Sequence, residues 1–385
     1  MAFQVGSVPH VIGGSYQGFG TIIDNELAIN QYPQFATSNT ATKNALIPRP
    51  GYRPYVGLPQ APVRGIFWQD GRGFAVSGNL FCEFFASQTF VVRGVVEVDS
   101  DPCTIVSNGT NDGHQIFLVS GGHGYIFDLN TAAFTDVTSG DLFPAPALGC
   151  AFLEGYFLAW KRDSPLFAGS ALFDGTDWLL ADGAFQAQMQ LTVDNIANAI
   201  SIGGQVYFMG TKNTQIWTNI GAANIPLQPM PNAVPRWGLD APFSIAGLDN
   251  TVFGVGVNED GARHVIKANG YNFDVISTPA ISRMLASVDS LQGALGFAHA
   301  WEGHPFYHLS VPGLVTDHGT TTLVYDDATK LWHERSLWDV KLMQHQLELG
   351  RCHAYGFNRH LMGDRQSGTI YELVAGQYQD RAVLA

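Results

Sequence analysis

Short β-rich runs, each followed by a tight turn and another run, recur along most of the chain. The first set reads Arg64-Gly65-Ile66-Phe67-Trp68, the turn Asp70-Gly71, Gly73-Phe74-Ala75-Val76-Ser77, the turn Gly78-Asn79, and Leu80-Phe81-Cys82-Glu83-Phe84. Gly, Asn and Asp tolerate the left-handed backbone that a two-residue hairpin demands. The unit returns at 114–137 around Gly121-Gly122, at 150–161 around Glu154-Gly155, and at 199–218 around Gly203-Gly204. It continues at 243–276 around Asp249-Asn250, at 294–334 around Glu302-Gly303, and at 353–373 around Asn358-Arg359. About seven meanders spaced about 45 residues apart predict an all-β chain folded as a β-propeller of six or seven blades. A pair of β-sandwiches is the competing arrangement. With 43 Gly and 19 Pro, long helical bundles are disfavoured.

Two departures from the repeat stand out. Ser277-Thr278-Pro279 offers a polar cap and a first-turn proline, and Ile281, Met284, Leu285 and Val288 then share one face, which predicts a helix packed over a blade. Residues 337–349 are read as a second short helix of weaker periodicity. Residues 1–60, rich in Gly, Asn, Gln, Thr and Pro, show no alternation and read as an irregular N-terminal arm and ring-closing segment ahead of a propeller over 61–385. No apolar run reaches the length of a membrane span, and Met1-Ala2-Phe3-Gln4-Val5 does not open like a secretory signal.

The charge excludes one class of partner. Twenty basic against 33 acidic residues give a formal net charge of −13, and the longest basic run is Lys161-Arg162. A chain that grips phosphates carries a basic stripe, so stable nucleic-acid binding is not expected. Cys82, Cys103, Cys150 and Cys352 form no CxxC pair and are expected to be reduced and mostly buried.

Chemistry-bearing motifs are sparse. The Gly-rich stretch 13–20 lacks the Gly-Lys-Ser/Thr ending of a P-loop, and no G-x-S-x-G elbow is present. His304 and His308 share a strand face, and His318, His333, His353 and His360 could approach them, but HExxH is absent and no metal or other cofactor is expected. Asn111-Asp112-Gly113 and Asn258-Glu259-Asp260-Gly261 read as turns rather than calcium loops. Asn108-Gly109-Thr110 matches a glycosylation acceptor by chance. Ser170 to Trp178, SALFDGTDW, loosely echoes the Asp-box turn of sialidases, so the alternative function is a carbohydrate-binding or glycoside-hydrolysing propeller. Such an enzyme needs converging carboxylates. Asp326-Asp327, adjacent on a strand, should face opposite sides. The reading is therefore not an enzyme, with no catalytic, cofactor-binding or metal-ligating residues assigned.

An ordered series of short segments resembles the packaged-DNA stabilisation proteins of short-tailed bacteriophages, also called the tail hub or nozzle. They are 25–33 with Asn30 and Tyr32, Leu46-Ile47-Pro48-Arg49-Pro50-Gly51-Tyr52, and 210–221 around Thr214-Gln215-Ile216-Trp217. Gly238-Leu239-Asp240-Ala241-Pro242-Phe243, 270–278, and Leu323-Val324-Tyr325-Asp326 ending at Trp332 complete it. The resemblance implies a virion structural protein of the tail, built around a β-propeller. Six copies would form a ring that extends the DNA channel below the portal-bound adaptor protein, retains the packaged genome through ejection, and holds tail spikes or fibres and a plug or needle. Double-stranded DNA would pass through transiently, and the 1–60 segment is the candidate for reaching a neighbouring chain or the adaptor. Family members continue into a C-terminal β-rich domain, whereas this sequence runs only to Ala385, shortly after 368–373.

Overall fold

A computed structural model describes residues 27–35, 44–109, 113–192, 194–316 and 318–377. The 13–20 stretch, Thr110, Asn111-Asp112 and the opening of the family-like 25–33 segment lie outside them. Seven antiparallel sheets of four or five strands follow one another along the chain, so the propeller has seven blades rather than six. Blade 1 is representative. Val63–Gln69 is innermost, followed outward by Arg72–Ser77, Leu80–Phe84 and Phe90–Val95. Blades 2 to 6 span 104–136, 147–188, 196–229, 238–275 and 295–347. Blade 7 takes Gly350–Gly356, Arg359–Asp364 and Thr369–Val374 from the end of the chain and its outer strand, Gly51–Gly57, from the beginning.

The turns work as their residues dictate. Asp70 and Gly71 have φ of 49° and 77°, and Gly203 and Gly204 have 60° and 74°. Positive φ at both central residues gives the primed turn whose twist matches that of the flanking strands. In blade 7 the turn is Phe357-Asn358, one residue earlier than Asn358-Arg359. Phe357 takes φ 53° while Arg359 enters the strand, where it reaches Glu372.

The core is divided among the blade interfaces. Between blades 3 and 4, Trp160, Phe167, Phe208 and Trp217 interlock, with Phe167 and Phe208 stacked at 4.3 Å. Such aromatic pairs add to the burial that holds neighbouring blades together. Helix Pro279–Ala286 forms where expected. Thr278 caps it by accepting from the Ile281 amide, and Ile281 and Leu285 are buried between blades 5 and 6. The second expected helix does not form. Leu331–Asp339 and Gln344–Leu347 are strands of blade 6 joined by a protruding turn, with Trp338 opposite His345. The apolar residues there, Trp338, Val340, Leu342 and Met343, decorate an exposed tip rather than a buried helix face. All four cysteines are free thiols, buried at Cys82, Cys103 and Cys150 and half-buried at Cys352.

Near the axis the blades approach so closely that inner strands need glycine. A Cβ on Gly296 would lie 2.0 Å from the Ser244 carbonyl oxygen of blade 5, whereas one on Gly57 would meet nothing within 4 Å. Gly296→Ala should therefore destabilise the protein by about 1–3 kcal/mol, and Gly57→Ala should leave stability unchanged. Urea unfolding of the two variants beside the parent checks both.

Candidate functional site

The described part of the N-terminal segment lies along its own propeller. Residues 28–30 run beside blade 6, with Glu334 N–H donating to the Ala28 carbonyl (2.9 Å) and Asn30 N–H donating to the Glu334 carbonyl (2.8 Å). Asn30 sits at φ 58°, which turns its amide inward. Its Oδ1 accepts from Ser336 N–H (3.0 Å) and from Arg49 Nε (2.7 Å), and its Nδ2 donates to the Ser336 carbonyl (3.0 Å). The hairpin Gln31–Phe35 with Asn44–Pro48 follows, and the chain enters blade 7 at Gly51. Tyr32 is the anchor. It is 1% exposed and meets His304 and Phe306 edge-on at 4.9 and 5.1 Å.

Two cavities lie along the propeller axis. At the starts of the inner strands a cavity of about 290 Å³ is bounded by Arg64, Cys103, Phe297, Arg351 and His353. At their ends a more apolar one of about 360 Å³ lies among Phe67, Val106, Phe152 and Ile200. Both have the size of a small-molecule pocket. Neither admits a duplex whose major groove alone is about 12 Å wide. Arg64 is fully buried at its mouth, where its guanidinium donates to Ser120 Oγ and to the Gly78 and Asp101 carbonyls.

The motif residues have structural partners. Asp174 Oδ1 accepts from the Thr176 amide (2.9 Å), Thr176 Oγ1 (2.6 Å) and Gln115 Nε2 (3.1 Å) of blade 2. Burial disfavours the charge, but these hydrogen bonds outweigh it and hold the Asp174 carboxyl below its usual range. Trp178 is buried and donates to the Gly175 carbonyl. The SALFDGTDW turn thus pins blade 3 to blade 2 through Asp174. Asp326 and Asp327 do part: Asp326 is buried against His304 (2.7 Å), while Asp327 bridges Lys267 and Lys330.

The histidines sort differently from their spacing. His304 and His308 take separate acids, Asp326 and Glu348 (2.9 Å for the latter). His318 pairs with Glu334. His353 and His360 do meet, with Nε2 and Nδ1 3.1 Å apart, beside His299, a residue the sequence reading did not single out. Among the described residues no group of three His, Cys, Asp or Glu side chains is arranged to hold a metal ion. In this neighbourhood Asn30 supplies side-chain hydrogen bonds that tie the arm to blade 6. Asn30→Ala leaves the Ser336 backbone groups without these partners, so it should cost about 1–3 kcal/mol and expose 31–35 and 44–48 to proteolysis before the blades unfold. Equal protease resistance in variant and parent would contradict that role.

No curated protein sequence matches the chain. Among solved structures it is similar to the extracellular domain of the hybrid two-component system BT4673 from B. thetaiotaomicron, with a TM-score of 0.54 at 8% identity, covering 86% of this chain and 40% of that one. It is also similar to the N-terminal domain of Nup159, with a TM-score of 0.48 at 10% identity, covering 90% and 98%. At such identity the first likeness speaks for the propeller fold alone. The family model described as Bacteriophage P22 Gp10, beta-propeller matches residues 24–377. That span includes the docked arm, the closing strand and all seven blades, and the chain belongs to this phage family.

Proposed function

We propose that this phage structural protein is a subunit of the tail hub, arranged as a ring of six copies below the portal-bound adaptor. The ring extends the DNA channel, retains the packaged genome, and carries the spikes or fibres and the plug or needle. The observation that carries this reading is the family match over residues 24–377. The structure supports it in three ways. Interlocked blades make a stiff wall element, as containment of packed DNA requires. The axis of each propeller is too narrow for a duplex, so the DNA path lies between copies and not through any one of them. A formal charge of −13 per copy repels phosphate, so DNA passing such a wall does not adhere. The role requires no catalysis, and the Asp174 and Asp326 carboxylates are already engaged in holding the fold.

Contacts between copies have exposed apolar surface to use. Phe90, Val91, Val92 and Val95 lie on the outer edge of blade 1, and Val340, Leu342 and Met343 at the blade 6 tip. Exposed apolar patches of this kind serve association. Like charge opposes it, though salt screens the repulsion beyond about 8 Å. The free subunit should therefore remain monomeric and form a ring only when an adaptor presents adjacent sites and raises the local concentration. Light scattering on the purified protein, with and without the adaptor–portal complex, should give one copy alone and six on the complex. A stable hexamer of the isolated subunit at micromolar concentration and low salt would contradict the assembly order, and a copy number other than six on the complex would contradict the ring.

A further inference from the structure

The interface between blades 6 and 7 differs in composition from the other six. Its apolar residues split into a cluster of six, Tyr52, Phe297, Leu349, Met362, Tyr371 and Leu373, and a separate three under the arm, Tyr32, Phe306 and Val324, where every other blade interface buries at least nine in one cluster. Imidazoles and charges occupy the rest. The His299 ring lies 4.9 Å from His308, 5.0 Å from His353 and 5.9 Å from His360. His333, 1% exposed, continues the group toward the arm, where Tyr32 and Phe306 flank it. Neither nitrogen of His299 or of His333 has a hydrogen-bond partner.

Few acids face this group. Glu348 approaches His308 at 2.9 Å, outside hydrogen-bond geometry. The others are taken: Asp326 by His304, Glu334 by His318 and Thr321, Asp364 by Ser367 and Tyr371. Cations are plentiful. Blade 6 contributes fully buried Arg335, blade 7 contributes Arg365, and the arm contributes Arg49 beside Tyr52. Tyr32, also from the arm, stays protonated, pushed up to about 12 by burial and by Glu302.

We propose that this seam is a proton-operated joint: uncharged, it holds blade 7 and the arm against blade 6; protonated, it parts and frees both the arm and the strand that closes the ring. A proton added to His299 or His353 meets another imidazole or Arg335, whereas Glu348 faces only His308 and, beyond it, His333. Burial keeps these rings neutral in the closed form, pushing His308 down to about 4 and His353 to about 3, and lowering His299, His333 and His360. A solvated imidazole takes its proton near pH 6.5. The closed form is therefore fully favoured above that pH and loses ground as pH falls from about 6.5, about tenfold in the open-to-closed ratio per pH unit for each proton taken up. The Glu348 carboxyl, which burial raises but His308 and Arg335 lower further, to about 2, adds in the same direction only below the ordinary carboxylate range.

Hydrogen exchange of the full chain between pH 7.5 and 5.0, corrected for the intrinsic pH dependence of exchange, tests this. Amides of 29–35, 51–57 and 369–374 should lose protection about tenfold or more per pH unit below pH 6, while those of 156–161 in blade 3 keep theirs. The double variant His299→Phe/His353→Phe should show a shallower slope. Should it fail to fold, Arg335→Met removes a cation that protonated rings would face, raises the closed-form proton affinity of His299 and His333, and should likewise make the slope shallower. Constant seam protection over this range, loss in step across all blades, or variants with the parent's slope and onset would overturn the proposal.

Discussion

Ring closure is the contact on which the rest of the molecule depends. Gly51–Gly57 pairs with Thr369–Val374 across more than 300 residues of sequence, with Gly51 opposite Val374 and Gly57 opposite Thr369. The remaining blades are each built from one continuous stretch of chain. Their inner strands lean on neighbours on both sides, so an open ring would leave two blade faces in water. Closure therefore makes seven local meanders into one cooperative body, and it rests on backbone hydrogen bonds, buried contacts and the Arg53–Glu372 ion pair. The loop closed by this pairing is long, but the entropic cost of closing it grows only slowly with length.

The same region gathers the unusual chemistry. The arm docks through Asn30 and Tyr32 on blade 6, the closing strand lies one blade further on, and buried imidazoles and guanidinium groups lie between. An apolar interface would hold more tightly, because unpartnered polar groups are costly to bury. Blades 1 to 4, joined by stacked aromatics such as Phe81 with Phe134 and Phe167 with Phe208, form the stiffer side of the ring.

Much of the propeller was legible because its turns are chemically specific. Asp70-Gly71, Gly203-Gly204 and Glu302-Gly303 mark hairpins wherever they occur, and the strands on either side alternate or are wholly apolar. Outer strands were harder to see. Phe90–Val95 has no fully buried residue, and Leu227–Pro229 is three residues long, so neither carries a periodic signal. The 337–349 error has a related cause: apolar residues on a protruding hairpin tip mimic a weak helical face when exposure is unknown. Cap chemistry made the true helix readable, since Thr278 and Pro279 stand where the first turn needs them. The histidine seam was only half visible. His353 and His360 could be suspected as partners within a hairpin, but His299, alone between Ala298 and Ala300, joins them only because blades 6 and 7 are neighbours.

The fold's consequence for the virion is geometric. In the proposed hub, a subunit whose own axis holds only two small cavities, one beside Phe67 and Phe152 and one beside Arg64 and Phe297, would wall a channel rather than contain one. Cryo-electron microscopy of the assembled tail measures this directly. The account predicts six propellers around one axis, with duplex density running along that axis and outside every propeller. Duplex density threading the centre of a propeller, or propellers not arranged around a shared channel, would contradict it.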